Sequence, residues 1–312
     1  MSLILGILDS GVTGGGGGGV VAGYFAGGYD GSYISRIDKI TFAADTKSTL
    51  AATLTSGVFA LAGTANSGTA GYFAGGYDGS SGVSRSDKIT FPADTKSTVS
   101  TTLTTGTYYL AGMANSGTAG YFGGGTDGAT LSRIDKLTFP ADTKSTLSAT
   151  LTSVVYSLAG MANSGTAGYY GGGIEGSSVS RIDKITFSAD TKSTLSATLT
   201  ASTYNLSGMA NSGTAGYFGG GDSAGTPVSR IDKITFPADT KSTLSATLSS
   251  GRYSLAGMAN SGTAGYFGGG YDGGFVSGID KITFPADTKS TLSATLTTAN
   301  YRLGAMANSG TL

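Results

Sequence analysis

The chain contains no cysteine, no histidine and no tryptophan. Without cysteine there is no disulfide framework, and the sequence is silent on redox compartment. Without cysteine and histidine the usual zinc sites cannot be built. A Ser-His-Asp triad and a Cys-His pair are excluded as well. The expectation is a non-enzymatic protein with no metal site and no cofactor. Charge is scarce too: 12% of residues are charged, with 19 Lys+Arg against 19 Asp+Glu. Nucleic-acid binding draws on an excess of Lys and Arg over phosphate, so neither nucleic acid nor an anionic membrane surface is expected as a partner. No apolar run reaches the length of a membrane span. Residues 1–8 are apolar, but the first basic residue is Arg36, which does not fit the basic start of a signal peptide.

What the chain has instead is glycine, 54 of 312 residues, and a repeat. The string AGYF or AGYY recurs with its glycine at 23, 71, 120, 168, 216 and 265. The string ANS recurs with its asparagine at 66, 115, 163, 211, 260 and 308. Six copies of about 48 residues fill residues 20–312. Such a period marks a repeat architecture. The last copy predicts four short strands, over residues 253–261, 264–270, 276–284 and 290–297, rich in Thr, Val, Ile, Tyr and Phe. The breaks between them are Gly-rich or polar turn chemistry. No segment carries a 3.6-residue apolar period over 11 residues, so almost no helix is expected. On the third strand Arg36, Asp38, Ile40 and Phe42 share one face and Ile37, Lys39 and Thr41 the other. Apolar residues on both faces suit a sheet packed between two neighbouring sheets.

The phase of the two ends decides between a ring and a line. The chain stops just after a first strand, and the repeat region begins at a second strand, residues 20–28. Joined through space, they complete one four-stranded unit. The expected fold is therefore all-β: a six-bladed β-propeller of four-stranded antiparallel blades, closed by pairing N-terminal strands with the C-terminal strand. A linear solenoid needs distinct capping repeats, and none stands out.

The order of diglycine, Tyr-containing turn, strand and polar turn resembles the kelch repeat. The residues that carry the likeness are Gly27-Gly28-Tyr29-Asp30, Gly75-Gly76-Tyr77-Asp78 and Gly269-Gly270-Tyr271-Asp272. The likeness covers roughly residues 20–312, at a period close to the family's. Where kelch repeats carry a tryptophan late in the blade, this chain has Leu50, Leu147, Leu195, Leu244 and Leu292. The resemblance implies a propeller that binds a partner through loops at one mouth of the ring, an implication by analogy.

Several motifs have plainer readings. GTAGYFGGG has cofactor-like glycine spacing, but a strand follows it where a dinucleotide site needs a helix. TKST resembles the tail of a P-loop, but a threonine stands where that loop needs glycine. Carboxylates come three per repeat (Asp30, Asp38 and Asp45 in the first), and six equal sets single none out for acid-base work. Asp38 is expected to pair with Arg36 or Lys39, and Asp45 to close a turn. Asn205-Leu206-Ser207 is a lone glycosylation sequon with no special weight.

The repeats drift in two segments. One joins the second and third strands, at 29–34, 77–83, 126–131, 174–179, 222–228 and 271–276; the other precedes the first strand. In an up-down blade both lie on the same rim. The candidate ligand-binding residues there are Tyr29, Tyr33, Tyr77, Tyr109, Arg252, Tyr271, Phe275 and Arg302, since Tyr and Arg are the usual anchors of recognition surfaces. Phe59, Tyr108, Tyr156, Tyr204, Tyr253 and Tyr301 hold a constant phase and are expected to pack between blades.

Residues 1–19 form a separate unit: an apolar peptide followed by six glycines, a flexible linker. Leu3, Ile4, Leu5, Ile7 and Leu8 are the candidate assembly anchor. An anchor, a linker and a repeat-built head together resemble kelch-like fibre or decoration proteins of bacteriophage virions. The resemblance implies a virion location, attachment to a virion or other large-assembly protein through the N-terminus, and a host-surface glycan or protein as target. The alternative is a lectin-like adhesin module, extracellular or at the cell surface, whose rim tyrosines stack on glycans.

Overall fold

The computed structural model describes residues 21–309. Those residues form six four-stranded antiparallel sheets, one two-stranded ribbon of Asp222–Ser223 with Thr226–Pro227, and no helix. From the axis outward, the second blade runs Ala62–Asn66, Ala70–Ala74, Ser86–Thr90 and Thr95–Thr98. The next four repeat this order. The first blade is composite: Gly304–Ala307 supplies the innermost strand beside Ala22–Ala26, Ile37–Thr41 and Thr46–Thr49. Gly23 faces Ala307 and Ala26 faces Gly304 across that pair. The chain is a six-bladed β-propeller, closed by pairing its two ends.

Alternation explains how each blade serves two neighbours. Ile37 packs with Phe73, Ile89 and Phe91 of the second blade. Ile40 and Phe42 pack with Tyr266 and Ile279 of the sixth. Six such clusters fill the six joints. Leu50, Leu147, Leu195, Leu244 and Leu292 are partly buried against these clusters. In the first blade the diglycine is demanded by conformation and space. Gly27 and Gly28 have φ of 68° and 104°. A Cβ on Gly27 would lie 2.7 Å from the Val58 carbonyl oxygen.

Two polar latches recur at every joint. Tyr24 Oη and Lys39 Nζ both donate to Asp94 in the turn of the next blade, at 2.7 and 2.6 Å. Lys39 also lies over the Tyr24 ring. The Thr55 amide and hydroxyl donate to Asp87 of the second blade, at 2.9 and 2.6 Å. The expectations for aspartate thus change in detail. Asp38 pairs with Arg36 and Lys47, while Lys39 leaves its own blade for Asp94. Asp45 does close a turn, with φ of 52°, and also holds the neighbouring blade.

The outermost strand differs from its expected position. In the sixth blade it is Thr288–Thr291, the TKST segment, rather than residues 290–297. Thr283 pairs with Thr288 across a turn tight enough that the polar run itself becomes the strand. The following segment is irregular, with Leu292, Leu296 and Asn300 amides donating to Ile279, Ser277 and Val276. The first strand is also shorter, Ala256–Asn260, because Ser254 has φ of 55° and breaks it.

Candidate recognition face

Both drifting segments lie on one face and pair with each other there. Isolated bridges join Tyr29 to Tyr301, Phe59 to Tyr77, Tyr108 to Thr126, Tyr156 to Ile174, Tyr204 to Asp222 and Tyr253 to Tyr271. The opposite face is uniform. There Asn66 Oδ1 accepts from the Gly117 amide, and the same contact recurs from Asn115, Asn163 and Asn211.

The aromatics of the variable face form one arc. It runs from Tyr253 through Tyr271, Tyr301, Tyr29, Phe59, Tyr77, Tyr108 and Tyr109 to Tyr156, with successive centroids 5.2–6.3 Å apart. Tyr33 stacks on Phe59, and Phe275 stacks on Tyr301. Those two rings stand out to solvent, 38% and 39% exposed. The constant-phase aromatics are therefore members of this face and half-buried, not rings buried between blades. Their backbone bridges to the turns place them on the surface.

Arg252 departs from its expected place on the rim. It is 2% exposed, donating to Asp280 at 3.1 Å and to the Phe267 carbonyl at 3.0 Å. The reason is a local exchange. Five blades carry an arginine two residues before this aspartate, Arg36, Arg85, Arg133, Arg181 and Arg230; the sixth has Gly278. Arg252 fills that space, its Nη1 3.8 Å from where a Gly278 Cβ would stand. The other candidates, Tyr29, Tyr33, Tyr77, Tyr109, Tyr271, Phe275 and Arg302, lie on the variable face as half-buried or exposed side chains. The anchor candidates Leu3, Ile4, Leu5, Ile7 and Leu8 lie outside the described residues.

At the centre of this face the axial channel opens through six equivalent positions: Ala60, Tyr109, Ser157, Asn205, Ser254 and Arg302. Each is a non-glycine residue in the left-handed region, with φ between 52° and 59°. Their backbones form a closed circle. Arg302 donates to the Ser254 carbonyl, Ser254 to Asn205, Asn205 to Ser157, Ser157 to Tyr109, Tyr109 to Ala60 and Ala60 to Arg302, all at 2.7–2.9 Å. Beneath them Leu61, Leu110, Leu158, Leu206, Leu255 and Leu303 form the floor of a mouth of about 70 Å³. A deeper cavity of about 110 Å³ is lined by the same leucines with Ala and Gly of the innermost strands.

This circle is where the sixfold repeat is broken. One half is cationic and aromatic: the Arg302 guanidinium lies 4.8–5.0 Å from the centroids of Tyr301, Phe59 and Tyr109. Burial pushes the Tyr109 phenol up to about 12, although the Arg302 charge works the other way. The other half is hydroxyl and amide: Ser157, Asn205 and Ser254. Sequence reasoning passed over Ala60, Ser157, Asn205 and Ser254. Their signal was present, since each directly precedes the constant leucine and the position changes from copy to copy.

Among the described residues no three carboxylates gather as a metal site. The turn aspartates of the variable face are engaged locally, Asp30 by Ser32 and Asp78 by Ser80 and Ser81. No helix of the described residues is long and apolar enough to cross a membrane. No protein-family model matches the chain, and no curated protein matches it either.

Proposed function

We infer that this chain is a non-enzymatic binding propeller whose aromatic face is its recognition surface. The observation that carries the reading is the continuous aromatic arc on the one face where the repeats diverge, with Tyr33 and Phe275 exposed at its edge. Loops on a rigid scaffold are where recognition concentrates, and tyrosine supplies broad contact area with few rotamers to order. The opposite face offers the same Asn–Gly contacts blade after blade.

The kelch-like organisation and the apolar N-terminal segment favour a head displayed on a larger assembly, as in a virion fibre or decoration protein that meets a host or assembly partner. Deleting residues 1–19 is expected to abolish incorporation into the particle while the head keeps its fold; unchanged incorporation overturns the assembly reading. Tyr33→Ala with Phe275→Ala is expected to weaken attachment of the full chain to host cells at least tenfold, and unchanged attachment overturns the recognition face. A lectin-like adhesin is the second reading. It draws on the exposed Tyr33 and Phe275 rings, which suit the C–H-rich faces of sugars.

A further inference from the structure

Of the 19 basic residues in the chain, 18 stand within 4.0 Å of a carboxylate, and Arg302 has none among the described residues. Its Nε makes no hydrogen bond. Burying part of a cation without a hydrogen-bonded counter-charge is unfavourable, and the aromatic contacts replace only part of what is lost. The neighbouring Ser254, 6% exposed, also has its hydroxyl without a partner. Two unsatisfied polar groups therefore line one small mouth.

Backbone conformation adds an independent argument. The described residues include thirteen non-glycine residues at positive φ. Six are the turn aspartates that latch blades, six form the mouth circle, and the last is Ala224. Each non-glycine residue there costs about 1–2 kcal/mol. A chain with 54 glycines has the cheaper residue to hand. In the turns the side chain repays that cost by holding the next blade. At the mouth Arg302 meets aromatic rings but no carboxylate among the described residues, and the Ser254 hydroxyl has no partner, so strain is kept where a ligand could use the side chains.

We propose that the channel mouth binds the carboxylate of an acidic sugar, with Arg302 as its counter-ion and the Ser157–Asn205–Ser254 half taking the sugar hydroxyls. The proposal rests on the reading of this face as the recognition surface. A planar guanidinium matches a carboxylate through paired N–H donors. One cation balances one carboxylate, whereas a phosphate brings more charge than the mouth can meet. Ala60 leaves the sector beside Arg302 small, and the aromatic rings around it suit a pyranose face. The surface around the mouth offers rings and hydroxyls with no further unpaired cation, which favours a sugar over an acidic peptide.

The test uses the full chain and methyl β-glucuronide, read by tyrosine fluorescence, since no tryptophan masks Tyr109 and Tyr301. Saturable binding is expected for the glucuronide, with methyl β-glucoside at least tenfold weaker. Arg302→Gln and Arg302→Gly should each weaken the glucuronide at least tenfold; the glycine variant suits φ of 59° and keeps the fold. Ser254→Ala should weaken it severalfold. Equal binding of the glucoside, or unaltered binding in either Arg302 variant, overturns the proposal. N-acetylglutamate binding as tightly as the glucuronide also overturns it, pointing to a peptide carboxylate. If glucuronide fails while the Tyr33/Phe275 variant still loses host attachment, the recognition face stands and only the acidic-sugar site falls.

Discussion

Tyr266 Oη donates to Asp45 Oδ1 at 2.8 Å, across 221 residues of sequence. Lys281 Nζ donates to the other oxygen of the same carboxylate at 2.6 Å. The joint between the last blade and the first is therefore built like the internal joints, where Tyr72 and Lys88 hold Asp142. Asp45→Asn keeps the shape and tolerates φ of 52°, but removes the charge. It is expected to cost about 1–2 kcal/mol, and Asp142→Asn about the same, by urea denaturation. A seam variant several kcal/mol worse than the internal one would show that closure depends on this latch more than on the shared strand pairing.

Arg252 and Gly278 make a pair that can be exchanged. Arg252→Val alone removes the guanidinium from Asp280, which is fully buried, and is expected to cost about 2 kcal/mol. Adding Gly278→Arg restores the arrangement of the other five blades, where the position equivalent to Arg252 is Val58, Thr107, Val155, Thr203 or Asn300. Thermal denaturation of the double variant should recover most of the loss; a double variant no better than the single would refute the exchange.

Besides Ser254 at the mouth, two blades carry a buried hydroxyl with no partner among the described residues. Tyr170 holds the position of Phe25, Phe73, Phe122, Phe218 and Phe267, and its Oη is unpaired. Thr64 holds the position of Met113, Met161, Met209, Met258 and Met306, with Oγ1 unpaired. Tyr170→Phe is expected to stabilise by about 1 kcal/mol, and Thr64→Met by a similar amount, since each removes an unsatisfied buried group. The two sites share no latch, so the gains should add in the double variant.

The two latches set the response to pH. Burial tends to raise the carboxyls of Asp87, Asp135, Asp232 and Asp280, but hydrogen bonds from the preceding blade and the nearby Lys and Arg charges outweigh it and hold them below the ordinary aspartate range. Their stabilisation is complete above that range and is lost as pH falls through the depressed values. The phenols of Tyr24, Tyr72, Tyr121, Tyr169, Tyr217 and Tyr266 are raised, by burial first and then by their aspartate partners. Their stabilisation is complete below the ordinary tyrosine value and drains away as pH climbs above about 10. Tm measured across pH should be flat near neutrality and fall below about pH 4 and above about pH 10. A steady slope through neutral pH would contradict this assignment.

The ring was legible because the missing first strand of one end is present at the other, and because Ile37 and Ile40 demand apolar partners on both faces of one strand. The outermost strand was not, because Thr-Lys-Ser-Thr reads as turn chemistry while its pairing depends on a turn geometry that composition does not reveal. All eight rim candidates were drawn from drift between copies, and seven of them lie on the variable face. Arg252 misled because variation there compensates Gly278 rather than serving a partner. The mouth circle went unread because a single varying position before a constant leucine carries no motif; its meaning appears only when six distant residues meet at one axis.

Because the joints are built from the same residues, a repeat added or lost by recombination would carry its own latch donors and acceptors with it. The mouth, however, takes one residue from each blade. A gene that slipped to five or seven copies would keep those donors and acceptors but change the angle at which neighbouring blades meet and redraw the distances around the axis, so copy number is itself a heritable control on what the centre of the disc can hold.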